Sequence, residues 1–139
     1  LCSTRERIDR ARSIRRQLGG GMRQVGVLAA AGLLALRDGP RRLAEDHALA
    51  AFLARELAAL PAVDIDPATV QTNIVIFRCR GGDDAGGSSP AARLVARLRE
   101  LGVLVSAVDR ERVRLVTHRD VTPADGETAA RALATALSA

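Results

Sequence analysis

The spacing of apolar side chains along this chain changes several times, and each change predicts an element. Ser3-Thr4-Arg5-Glu6 has capping-box spacing and opens a helix running to about Gln17. At ~100° per residue, Ile8, Ala11, Ile14 and Leu18 fall on one arc of that helix, and Arg5, Arg12 and Arg16 cluster on another. Arg7 and Arg15 fall within or beside the apolar arc, where a guanidinium must snorkel or reach an anion. Gly19-Gly20-Gly21 ends the helix, because glycine carries a high entropy cost in any regular element. Residues 25–36 then run without a charge and are apolar on every side. Such a helix must be covered all round. A lone domain of 139 residues would struggle to bury it, so another domain or subunit is expected over one face. Gly26, Ala29, Ala30 and Gly32 are small enough to let a neighbouring helix approach closely.

Pro40 suits the first turn of a further helix reaching about Leu60, with a stripe of Leu43, His47, Ala50, Ala54 and Leu57. Beyond Pro61 the period shortens to two. Residues 71–78, rich in β-branched side chains, predict a strand, and residues 63–65 are a weaker candidate. Residues 80–89 read as a mobile loop. Ser89-Pro90 opens a helix to Leu101 with Leu94, Val95, Leu98 and Leu101 inward, and Gly102 ends it. Residues 103–108 and 112–118 predict two more strands about an Asp109-Arg110 turn. Thr122-Pro123-Ala124-Asp125 caps a final helix ending near Leu137. The expected fold is α+β: a three-stranded, mainly antiparallel sheet with helices on one face, preceded by other helices.

Composition narrows the chemistry. All 21 basic residues are arginine, and the absence of lysine excludes a Schiff-base, P-loop or general-base lysine within this chain. Charge is concentrated: residues 1–24 hold seven arginines against Glu6 and Asp9, while 14 arginines and 14 acids cancel over the remainder. That focus points either to a solvated helix or to an anion. Two distant cysteines, Cys2 and Cys79, do not make a disulfide framework and fit a reducing, cytoplasmic setting. No apolar run reaches the ~18 residues of a spanning helix.

Individual sites are few. His47 lies on an apolar stripe and reads as a packed side chain; His118, beside Asp120, reads as a structural hydrogen-bonding group. No Cys/His spacing suggests a metal site, and neither cysteine stands beside a base. The glycine triplet with Arg23 after it could serve a phosphate or act as a hinge. Arg112 and Arg114 share one strand face with Val116, opposite Val113, Leu115 and Thr117. Arginine there suits either a bidentate carboxylate clamp or a structural salt bridge.

Four stretches together carry a resemblance. These are Arg15-Arg16-Gln17-Leu18-Gly19-Gly20-Gly21-Met22-Arg23-Gln24 with Leu28-Ala29-Ala30-Ala31-Gly32; Arg42-Leu43-Ala44-Glu45-Asp46-His47; Thr72-Asn73-Ile74-Val75; and Val113-Arg114-Leu115-Val116-Thr117-His118-Arg119-Asp120-Val121. In that order the chain resembles the low-specificity L-threonine aldolases. These are pyridoxal 5'-phosphate (PLP) lyases of the aspartate-aminotransferase fold, fold type I, in the β-eliminating lyase group. The resemblance implies a C-terminal portion: residues 1–39 end the large PLP domain and its connecting helix, and residues 40–139 form the small α+β domain. It implies retro-aldol cleavage of threonine or allo-threonine to glycine and acetaldehyde by a homodimer or homotetramer whose large domain precedes this segment. Arg114 matches the arginine that binds the substrate carboxylate. Arg23 matches an arginine of the cofactor-phosphate region, with reach to a neighbouring subunit, and Arg16 stands where relatives often carry lysine. No catalytic residue and no covalent attachment of PLP are expected in this chain. The alternative is a stand-alone basic module that binds nucleic acid or dimerises, against which the near absence of aromatic residues counts.

Overall fold

The computed structural model describes residues 2–82 and 86–138 and divides the chain into two compact units, residues 1–39 and 40–139. The first unit holds helix α1 (Arg5–Gln17) and the start of α2 (Gly26–Ala58). Thr4 is the N-cap of α1, and no side chain caps it, so the expected capping box with Glu6 does not form. The C-terminus is closed instead by backbone. Gly19 N–H donates to the Arg16 carbonyl (3.1 Å) and Gly20 N–H to the Arg15 carbonyl (2.7 Å), with Gly19 at φ +81°. This is a Schellman cap. A Cβ on Gly20 would stand 2.7 Å from the Arg15 side-chain stem, so the second glycine is required by space and the first by conformation.

Pro40 does not open a new helix. It sits inside α2, which runs unbroken through it. Proline normally forbids the helical region to the residue before it by clashing with that residue's Cβ, and Gly39 has none. Among the described residues there are therefore four α-helices, with one long helix where two were expected.

The second unit contains β1 (Val63–Asp64), a 3-10 turn at Pro67–Thr69, β2 (Ile74–Cys79), α3 (Pro90–Glu100), β3 (Ser106–Ala107), β4 (Arg112–Val116) and α4 (Pro123–Leu137). The sheet has four strands, not three, in the order β1-β2-β4-β3, every pair antiparallel. The extra member is the weaker candidate, pairing Val63 with Cys79 and Asp64 with Arg78. The strand expected over 103–108 shrinks to two residues, because Val103 N–H is spent on the Leu98 carbonyl closing α3 (2.8 Å).

Alternation along β2 and β4 divides the sheet. Val75, Phe77, Cys79, Val113 and Leu115 are buried, and α2 (Ala50, Leu53, Ala54, Leu57), α3 (Ala91, Leu94, Leu98) and α4 (Ala132, Leu133) complete one aliphatic core on that face. Helix α2 turns Leu49 and Leu53 inward as well, while Leu43 stays largely exposed. Ser89 and Thr122 cap α3 and α4 as their spacing predicts, and Thr122 with Asp125 forms a full capping box. No helix among the described residues is long and apolar enough to cross a membrane.

Candidate functional site

The other face of the sheet is open. Ile74, Ile76 and Arg78 of β2 stand beside Val116, Arg114 and Arg112 of β4, in that register, and none of the six is buried. A strand places alternate side chains on one face, so the three arginines and three aliphatic residues share it.

Two of these arginines have carboxylate partners. Arg78 Nη1 donates to Glu111 Oε2 (2.7 Å), and Arg112 Nε donates to Asp109 Oδ2 (2.6 Å). Asp109 also accepts the backbone N–H groups of Glu111 (3.0 Å) and Arg112 (2.8 Å). Those bonds, the Glu111 backbone first and then the Arg112 side chain, hold its carboxyl down at about 2. Arg112 is thus a structural salt bridge within a turn. Arg114 differs. Its Nη2 reaches only Ser106 Oγ, at 3.5 Å on the neighbouring β3, and no carboxylate pairs with it among the described residues. Between the apolar Ile76 and Val116, it is a guanidinium without its counter-ion on a half-apolar surface. A carboxylate arriving there would meet a planar, two-pronged donor.

Arg16 occupies the last turn of α1, and Arg23 the turn immediately before α2; both are exposed. They belong to the first unit, whereas Arg114 belongs to the second. The first two glycines of the triplet serve the C-terminus of α1, so the loop is in the first place a cap. His47 is half-buried on α2, in keeping with a packed side chain. His118 Nδ1 accepts the Asp120 backbone N–H at 3.3 Å, a structural bond of the kind its position suggests. Burial pushes the Cys79 thiol up to about 11, and the Arg93 charge opposes this only weakly, so it is no nucleophile near neutrality. Ser106 was not singled out by the sequence; only the β3–β4 register, which sets it opposite Arg114, reveals it.

Residues 1–80 match the family model described as beta-eliminating lyase. The chain is 36% identical over 118 residues to low-specificity L-threonine aldolase 1 of Arabidopsis thaliana, covering 85% of this chain and 32% of that protein. It is 40% identical over 122 residues to the low specificity L-threonine aldolase of Escherichia coli K12, covering 88% and 33%. A probable low-specificity L-threonine aldolase 2 of Arabidopsis thaliana is 35% identical over 127 residues, covering 91% and 35%. The chain spans about a third of the length of the curated relatives it matches.

Proposed function

The chain belongs to the beta-eliminating lyase family, and from that premise we propose that it is the C-terminal part of a PLP-dependent aldolase of fold type I. The reaction we assign to the whole protein is cleavage of L-threonine or L-allo-threonine to glycine and acetaldehyde. The observation that carries this reading is Arg114, without a carboxylate partner among the described residues on an open sheet face while Arg78 and Arg112 beside it are each neutralised. Its role is to grip the substrate carboxylate by two N–H donors, with Ile76 and Val116 as the apolar side chains beside it.

The chain's residues fit some ends of the cofactor and not others. With no lysine, this segment cannot anchor PLP covalently, so the anchoring amine belongs to the preceding large domain of our reading. Arg23 and Arg16 are cations suited to the cofactor phosphate or to a subunit contact. When bound, PLP supplies the electron sink that lets the bond beside the amino-bearing carbon break. The exposed apolar residues 25–36 support a large domain or a second subunit packed against this segment, in a homodimer or homotetramer. Two unpaired cysteines favour a cytoplasmic setting.

The test is acetaldehyde release from threonine by the longer protein that carries this segment. Arg114→Ala should lower kcat/KM by about 10- to 100-fold, the worth of a charged hydrogen-bonded grip. An unchanged kcat/KM would remove Arg114 from the site, and a PLP-loaded protein inert toward threonine would sink the reading.

A further inference from the structure

Three of the four stretches singled out in the sequence meet at one buried junction. Thr117, just past β4, is 1% exposed. Its hydroxyl donates to the Asp46 carbonyl of α2 at 2.7 Å and lies 3.4 Å from the Asn73 carbonyl. Its backbone N–H donates to the same Asn73 carbonyl (2.9 Å), and Asn73 Nδ2 returns a bond to the Thr117 carbonyl (2.8 Å). Thr117 thus continues the β2–β4 register one step past Ile74 and Val116, and ties that end of the sheet to the helix behind it.

The junction stands three residues from Arg114, on the opposite face of the same strand. The Arg114 side chain has little to hold it: among the described residues it makes one hydrogen bond, to Ser106 at 3.5 Å. Strand β4 is held on its other edge by the two residues of β3 and by the Val108 N–H, which donates to the Arg112 carbonyl at 2.8 Å, so that pairing ends at Arg114. The guanidinium's place is therefore set by its backbone, and the backbone beyond Val116 is fixed by the Thr117 hydroxyl and the Asn73 amide. We propose that Thr117 and Asn73 are positioning residues for the substrate carboxylate: they fasten β4 to α2 and so hold Arg114 where it can grip. This rests on the reading of Arg114 given above. Neither residue touches substrate. Their effect reaches it through a strand whose displacement by an ångström would misdirect a two-pronged donor.

The experiment uses the longer, PLP-loaded protein with Thr117→Val, which keeps the shape and removes the hydroxyl, and Thr117→Ser, which keeps the hydroxyl. Thr117→Val should raise KM for threonine about tenfold with kcat within about twofold, and Thr117→Ser should restore it. Equilibrium dialysis of radiolabelled glycine should weaken in parallel, a readout independent of turnover. Asn73→Ala should act in the same direction and serves where Thr117→Val does not fold. If Arg114→Ala raises KM but Thr117→Val and Asn73→Ala leave KM and glycine binding unchanged, the positioning role is wrong and the carboxylate grip stands. If Arg114→Ala changes neither, both fall together, since nothing remains to be positioned. If neither Thr117→Val nor Asn73→Ala folds, the junction is purely structural and the proposal is overturned.

Discussion

The two parts of helix α2 are both rich in leucine and alanine and opposite in fate. Residues 26–39 include Leu33, Leu34 and Leu36, which are 68%, 54% and 73% exposed. Residues 40–58 include Leu49, Ala50, Leu53, Ala54 and Leu57, all buried in the core of the second unit. What separates them is pattern. The second stretch repeats its apolar positions every three or four residues and puts Arg41, Glu45, Arg55 and Glu56 elsewhere, so one sheet satisfies it. The first stretch is apolar on all sides, and no single surface can. Hydrophobicity sets how much burial a segment demands; periodicity decides whether this chain alone can meet it.

The largest expected effect divides the helix directly. Leu57→Ala removes a fully buried side chain and should cost about 2–5 kcal/mol in denaturant unfolding, whereas Leu34→Ala should change stability by less than about 0.5 kcal/mol. Equal losses would mean that the two parts are buried alike in solution. At the joint itself, Pro40 denies the Leu36 carbonyl its helical donor. Pro40→Ala should therefore firm the helix by about 2–2.5 kcal/mol, the helix-interior penalty of proline less its advantage in the unfolded chain. Amide exchange slowing around residues 37–44 would register it. Exchange left unchanged would show that the proline costs the helix nothing at this position.

Where the sequence was legible follows the same line. Alternating residues 74–79 and 112–116, and the caps at Ser89 and Thr122, announced their elements because local pattern and tertiary burial agree there. Pro40 misled because proline is read as a boundary, and the exemption granted by Gly39 depends on a missing Cβ. Strand β1 was undercounted because two residues carry almost no periodicity, and only pairing with Arg78 and Cys79 makes them a strand. At the candidate site, the shared face of Arg112 and Arg114 was readable from alternation alone. Which of them has a carboxylate partner was not: Asp109 lies three residues from Arg112 and could be guessed, but the lack of a carboxylate partner for Arg114 among the described residues is a fact of the fold. Ser106 and the bonds around Thr117 depend on strand register and on a contact 71 residues apart in the chain, beyond any local signal.

The helix caps offer a smaller contrast between the same two units. Thr122 Oγ1 accepts the Asp125 N–H at 3.2 Å. The Thr122 hydroxyl donates to Asp125 Oδ2 at 2.6 Å and the Thr122 backbone N–H to the same oxygen at 2.8 Å, and these two bonds, the side chain's first, depress the Asp125 carboxyl. Thr4 caps α1 with no side-chain bond. Thr122→Ala should cost about 1 kcal/mol of stability, and Thr4→Ala almost none. Parallel thermal melts would check both. A measurable loss from Thr4→Ala would mean that α1 is more firmly built than its exposed surface implies.

The smallest effect concerns the two cysteines. Cys79 faces the core of the second unit, and Cys2 is exposed in the first. Burial keeps the Cys79 thiol protonated to about 11, against its ordinary 9.0. The folded chain then holds a proton that the unfolded chain gives up, and folding stability falls wherever the unfolded state binds fewer protons. This contribution is intact below pH 9 and is lost progressively as pH rises from 9 toward 11. Melting temperature should accordingly decline over that window, and Cys79→Ala should flatten the decline at the cost of a slightly looser core. In the same window a thiol reagent should label Cys2 at once and Cys79 only on unfolding. Rapid labelling of Cys79 at neutral pH would show that the sheet opens locally, and would erase the contrast between a unit with a core and a unit awaiting one.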